Sequence, residues 1–263
     1  MAKLSNHQSN RFVKILYLGD SGTGKTGSLV SLVKAGYSLR VLDYDNGLDV
    51  LKAFILKDCP DKIDQVDFET LRDKYKAGAN GPMLDGPAKA LIAGLKLMSE
   101  WSDKTIPAQW GEKTVFVLDS LTGLGKAAFE WAKAMNPLAK DPRQWYKTAQ
   151  DAVDQCLALL TSEPFQTNVI LIAHVQVISD EGTGLKKGYA NTIGKALGPF
   201  IPTYFNTMVL AQSSGTGGNV KRTIATAPTS LLDLKNPVPF KIENSLPLDT
   251  GLATLFEKLK GQS

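Results

Sequence analysis

Eight consecutive residues, Gly19-Asp20-Ser21-Gly22-Thr23-Gly24-Lys25-Thr26, carry the densest chemistry in the chain. Spaced glycines let backbone N–H groups turn inward around an oxyanion, while a lysine followed by a hydroxyl adds a positive charge and a metal ligand. A polyphosphate suits this arrangement. Lys25 reaches the β and γ phosphates, and Thr26 offers its hydroxyl to Mg²⁺, which offsets the charge that develops as the terminal bond breaks. Gly27 continues the run into a helix whose positive end points at the same charge. A glycine-rich turn with a chance lysine is the plainer reading, but the stretch follows an apolar strand and opens a helical pattern, as the chemistry requires. A second group is Val115-Phe116-Val117-Leu118-Asp119, a buried strand ending in a carboxylate where ligands bind in parallel sheets. Asp119 is positioned to hold Mg²⁺ through water; the alternative is a helix cap, a part Ser120 can equally play. Asp43 and Asp45 end a third apolar run on the same edge.

These groups meet only if the intervening chain builds a sheet. Apolar runs over 13–18, 114–118 and 168–173, with shorter ones over 39–42 and 207–211, read as strands. Stretches of helical period over 25–35, 47–56, 86–101, 121–135 and 142–161 alternate with them, the pattern of strand and crossover-helix units. Segments 57–82, with an edge strand at 66–70, and 179–198 break the regularity. The tail from Ala211 alternates about the Gly215–Gly218 turn and reads as an antiparallel hairpin added to the sheet. The expectation is an α/β fold with a mainly parallel sheet flanked by helices and a C-terminal antiparallel hairpin, in one domain over 11–263 after a flexible segment 1–10.

Of 263 residues, 43% are hydrophobic and 21% charged, enough apolar surface for a core. A net charge of +4 permits nucleic-acid binding without requiring it. Cys59 and Cys156 are too few and too far apart for a disulfide framework or zinc site, so a reducing, cytoplasmic setting follows. No apolar run approaches the roughly 20 residues of a membrane span, and 1–10 does not read as a secretion signal.

Ser120 follows Asp119 where many related ATPases place a glutamate, which argues against ordinary AAA-type machines. The carboxylate that polarises the attacking water must then lie elsewhere, and the most suitable place is the end of the neighbouring strand, where Asp43 and Asp45 emerge on the ligand-binding edge. Asp43-Tyr44-Asp45-Asn46-Gly47-Leu48-Asp49 resembles the RecA-family stretch in which a strand ends in Asp, any residue, then the catalytic Glu. The resemblance puts Asp45 on that Glu, one methylene shorter, and implies slow turnover. Leu118-Asp119-Ser120 looks like the family's second acidic motif. The strand Val169-Ile170-Leu171-Ile172-Ala173-His174 matches the one whose polar end residue senses the γ phosphate, making His174 the sensor. The implied fold is a RecA-like P-loop NTPase core using ATP and Mg²⁺, with Lys25, Asp45, Asp119 and His174 catalytic. Plainer readings make Asp45 or Asn46 a helix cap and His174 a locally satisfied polar residue.

Residues 179–195 combine glycines with Lys186, Lys187, Lys195 and Tyr189, where RecA-like proteins carry DNA-binding loops. Lysines neutralise phosphates without reading sequence and a tyrosine stacks on an unpaired base; a solvated loop or β-hairpin is the alternative. From 11 to 226 the chain resembles the short RecA-core annealing proteins of bacteriophages, the Sak-four type, and other phage nucleotide-binding proteins. That resemblance implies ATP-regulated binding and annealing of single-stranded DNA in host cytoplasm, by a ring or filament of identical subunits, with a single-strand-binding protein as a further partner. It also implies a cation given to the neighbour's nucleotide, for which Lys195, Lys221 and Arg222 are candidates. No N-K-x-D guanine motif appears. Segment 57–82 contains Arg72 alone where small-molecule kinases need an arginine-rich lid, and the nuclease domain of packaging motors is missing. The rival reading is an ATP-dependent loader or assembly factor acting through protein partners, distinguished by what the 179–195 loop touches.

Overall fold

In the computed structural model, which describes residues 11–179, 182 and 184–261, the apolar runs become strands covered on both faces. The strands are β1 (Lys14–Leu18), β2 (Ser38–Asp43), β3 (Val66–Thr70), β4 (Tyr75–Gly78), β5 (Gly81–Leu84), β6 (Thr114–Asp119), β7 (Asn168–Ala173), β8 (Val175–Ser179), β9 (Lys186–Ala190), β10 (Thr207–Ser214), β11 (Lys221–Ala225) and β12 (Ser245–Pro247). The helices are α1 (Lys25–Ser28), α2 (Val30–Lys34), α3 (Asp49–Asp58), α4 (Ala90–Ser99), α5 (Pro107–Trp110), α6 (Leu121–Met135), α7 (Arg143–Thr161) and α8 (Leu248–Leu259). The expected flexible segment 1–10 lies outside the described residues.

Among the described residues, eight strands form one sheet in the order β12-β11-β10-β1-β7-β6-β2-β3. Neighbours from β10 to β3 pair parallel, whereas β10–β11 and β11–β12 pair antiparallel. The expected fold class is the one observed, including the edge strand at β3 and the hairpin about Gly215. Parallel strands buried on both faces need apolar side chains at successive positions, and β6 and β7 are buried throughout. Leu16, Leu18, Phe116, Leu118 and Leu171 face one layer with α4, α6 and α7. Ile15, Tyr17, Val117, Ile170 and Ile172 face the other with α1, α2, α3 and α8.

Several expectations are corrected. The helix expected over 25–35 is two short helices meeting at Leu29. Segment 57–82 holds most of the β4–β5 hairpin as well as β3, and 179–198 contains β9, paired antiparallel with β8; residues 180, 181 and 183 lie outside the described residues. The tail is more than a hairpin: Leu252, Leu255, Phe256 and Leu259 recur at helical spacing and bury one face of α8.

At the start of β1, the end away from the phosphate loop, Lys14 Nζ donates to the carbonyls of Leu160, Ser162 and Phe165 at 2.9, 2.9 and 3.2 Å. A cation there meets the negative end of α7 and satisfies carbonyls left open where the helix stops. Replacing Lys14 by Met is expected to cost about 1–3 kcal/mol, because those acceptors lose a charged donor; urea unfolding of both proteins measures it, and an unchanged midpoint would refute the capping role.

Candidate functional site

β1 delivers the chain into the phosphate loop with its backbone against β10. Gly19 N donates to Ala173 O at 3.2 Å, and a Cβ on Gly19 would lie 2.7 Å from Ala211 O, so this position needs glycine. Thr23 Oγ1 donates to Asp20 O at 2.8 Å and Ser28 N to Gly24 O at 2.9 Å, closing the loop onto the first helical turn. Gly24 has φ of 93° and would put a Cβ 2.5 Å from Leu248 Cδ2, so both its conformation and its neighbour exclude a side chain. Gly27 lets α1 approach α3, since a Cβ there would lie 2.9 Å from the Phe54 ring.

Lys25 is buried, and its Nζ donates to Gly19 O and Asp20 O at 2.7 and 2.9 Å. Burial lowers its pKa, against the pull of Asp119, Asp20 and Asp45. Thr26 Oγ1 donates to Asp119 Oδ2 at 2.6 Å. The two groups expected to share Mg²⁺ are therefore in contact, and a hydroxyl with a carboxylate is the hard-oxygen donor set that ion takes alongside phosphate and water. Ser120 caps α6 by accepting from Gly123 N at 3.3 Å, so the cap is made by Ser120 and not by Asp119. The peptide between Asp119 and Ser120 is cis.

Asp43 and Asp45 divide cleanly. Asp43 is buried; its Oδ1 accepts from the N–H groups of Asp45 and Gly47, each at 3.2 Å, and its Oδ2 from Thr70 Oγ1 at 3.3 Å. Its hydrogen bonds hold the turn. Asp45 is exposed and lines the cavity. The capping alternative fails, because Leu48 is the cap of α3 and no side chain bonds there. His174, half-buried beyond β7, lines the same cavity. Burial, then the charge of Lys25, lowers its pKa, favouring neutral imidazole.

The cavity measures about 910 Å³ and brings together the loop, Asp45, Asp119 and His174. Two of its walls escape the sequence reading. Val50 and Phe54, 43% and 41% exposed on α3, form an apolar ledge beside Gly27 that offers a base a stacking surface. Their i, i+4 spacing is a readable signal, hidden by the inward pair Leu51 and Ile55 on the same helix. The opposite wall is Lys221, Arg222, Pro247 and Leu248, so two of the cations considered for a neighbour's nucleotide stand beside their own loop. Lys186, Lys187, Tyr189 and Lys195 do not line the cavity. Lys186 and Lys187 are exposed on β9, Lys187 paired with Asp233; Tyr189 is half-buried and Lys195 exposed.

A family model described as an AAA domain matches residues 11–238. The chain belongs to the AAA-domain family. Ser120 in place of a glutamate therefore does not exclude it from a family bearing that name. This AAA-domain chain is a P-loop ATPase by family, and its matched span ends before β12 and α8, which supply Leu248 against Gly24. No curated protein sequence matches it. Among solved structures it is similar to the RadB recombinase at 12% identity and TM-score 0.47, covering 91% of this chain and 89% of that one. It is also similar to the flagellar accessory protein FlaH from Methanocaldococcus jannaschii, at 12% identity and TM-score 0.42, over 89% and 83% of the two chains. A KaiC-like protein from Pyrococcus horikoshii OT3 follows at 10% identity and TM-score 0.40, over 81% and 77%. No helix among the described residues is long and apolar enough to cross a membrane.

Burial pushes the Asp119 carboxyl up to about 6; the Thr26 hydrogen bond opposes it, Asp45 and Asp43 add to it, and Lys25 opposes it again. With the folded pKa above the ordinary 3.8, the folded state holds a proton the unfolded chain has released, so stability falls as pH rises through that window and the cost is complete above about pH 6. Asp119→Asn keeps the acceptor for Thr26 and removes the charge. It is expected to gain roughly 1–3 kcal/mol at pH 8 in metal-free buffer, to gain little near pH 4, and to lose at least about tenfold in Mg²⁺-ATP affinity. Thermal unfolding at both pH values with ATP titration checks this; equal stability at pH 8 would contradict it.

Proposed function

We propose that this chain binds ATP and Mg²⁺ and uses the nucleotide state to control binding and annealing of single-stranded DNA through the β8–β9 hairpin. Thr26 and Asp119 would hold Mg²⁺, which supplies charge neutralisation at the β and γ phosphates when bound. Lys25 neutralises the same phosphates, and Asp45, on the open side of the cavity, orients the attacking water as base. Hydrolysis is slow and stimulated by DNA, with identical subunits assembled on the strand as a ring or filament. The setting is cytoplasmic, in a host cell if the chain is phage-encoded, and a single-strand-binding protein is a further partner.

One observation carries this reading: the hairpin grows directly out of the cavity wall. His174 lies between β7 and β8, its carbonyl accepts from Asn191 N at 2.8 Å, and Val175 pairs with Ala190 in the next rung. Thr122 Oγ1 donates to Asn191 O at 3.0 Å, tying the same base to α6 just after Asp119. A phosphate drawing His174 inward therefore moves the root of the strands that present Lys186, Lys187 and Tyr189. The loader reading uses the same hairpin, and Val177, 48% exposed there, favours it as a protein contact.

Binding of a fluorescent single-stranded oligonucleotide is expected to require ATP and to weaken with salt. Lys186→Ala/Lys187→Ala is expected to weaken it about tenfold and to flatten the salt slope by roughly 0.7 for each phosphate that is no longer neutralised. Lys25→Ala is expected to abolish the nucleotide dependence. ATP binding without DNA binding in any nucleotide state would move the chain to the loader reading.

A further inference from the structure

β10 overshoots its neighbour. Leu18, the last residue of β1, pairs with Leu210, and β10 continues through Ala211, Gln212, Ser213 and Ser214. At about 3.3 Å per residue the strand extends roughly 13 Å past the end of β1. β11 then returns antiparallel with Lys221 opposite Ser214 and Arg222 opposite Ser213, which stands both cations over the loop of their own chain. Arg222 Nε donates to Gly22 O at 3.4 Å, and its Cδ lies 3.4 Å from the place a Cβ on Gly24 would take. It lines the cavity with Lys25 and Thr26 and makes no ion pair among the described residues.

We propose that Arg222 binds the phosphate chain of the nucleotide held by its own subunit. A guanidinium is a planar fork matched to two phosphate oxygens and is weakly hydrated for a cation. Its present acceptor, the Gly22 carbonyl, is neutral; a phosphate oxygen is charged and makes the stronger bond. Entry of a polyphosphate therefore draws the side chain inward from a position it already occupies. This differs from a cation lent to a neighbour, because the β10–β11 register brings Arg222 to its own Gly22 and Gly24 with no second subunit. Gly24 and Leu248 complete the fit: the absence of a Cβ at Gly24 leaves room for both the leucine and the arginine stem. The inference rests on nucleotide binding at the phosphate loop and is independent of the DNA proposal.

The test is the affinity for a fluorescent ATP analogue with Mg²⁺, at protein concentrations where light scattering shows single chains. Arg222→Ala is expected to bind about tenfold more weakly, Arg222→Lys to fall between it and the native chain, and both to keep the native unfolding temperature, because the side chain is exposed. At higher concentrations, where light scattering shows assembly, adding an excess of Lys25→Ala, which contributes an intact Arg222 but binds nucleotide poorly, is expected to leave the affinity of Arg222→Ala lowered. Native affinity in Arg222→Ala, or its recovery on mixing, would overturn the proposal, the second outcome assigning Arg222 to the neighbour's site. Failure of the native chain to bind the analogue would instead remove the nucleotide reading on which the proposal stands.

Discussion

A carboxylate inside an apolar sheet persists only when a donor answers it, and here Thr26 answers Asp119 across the end of β7. That contact depends on strand order. β1 and β6 flank β7, with Leu18 opposite Ala173 and Asp119 opposite Ile172, so the loop and the acid emerge from one edge of the sheet, a single strand apart. Any other order would leave Asp119 buried without Thr26 and the loop without the carboxylate it touches. Burial raises the Asp119 pKa while the Thr26 hydrogen bond opposes it, so the ionised acid is held at some expense to stability.

The neighbouring strand end follows from the same register. Asp43 lies opposite Asp119, and Tyr44 N donates to Asp119 O at 2.6 Å. The backbone between Asp43 and Asp45 is thus tied to the end of β6. Gly123 leaves room for Tyr44 and Asp45: a Cβ there would lie 2.6 Å from Tyr44 Cβ and 2.7 Å from Asp45 Oδ1. Gly94 leaves room for the Tyr44 phenol in α4. One acid is consumed in shaping the turn and the other is presented to the cavity, and the difference arises from hydrogen bonds rather than from residue type.

Elements far apart in sequence close the site from outside. The antiparallel strands β11 and β12 do not extend the parallel sheet so much as fold its end over the phosphate loop, bringing Arg222 and Leu248 against Gly24. On the other flank, His174 lines the cavity and the β8–β9 hairpin begins at the next residue, so two hairpins adjoin the site, each rooted in a strand beside β1.

The phosphate loop is legible in the amino-acid order alone, because glycine, lysine and threonine at fixed spacing have one chemistry between a strand and a helix. Asp119 and the parallel core are legible as well, since buried strands must be apolar throughout and a carboxylate ending one is conspicuous. The edge strand β3 and the β10–β11 hairpin follow for similar local reasons. Separating Asp43 from Asp45 takes the folded chain, since both end the same strand and only their partners differ. Folding also puts Val50 and Phe54 in the cavity, because α3 has two apolar pairs at the same spacing and packing decides which faces inward. It places Arg222 over its own loop, since how far β10 outruns β1 depends on pairing between segments nearly two hundred residues apart. The physical reason is common to all three: sequence states which groups are present and what each prefers nearby, but register and packing decide which groups meet.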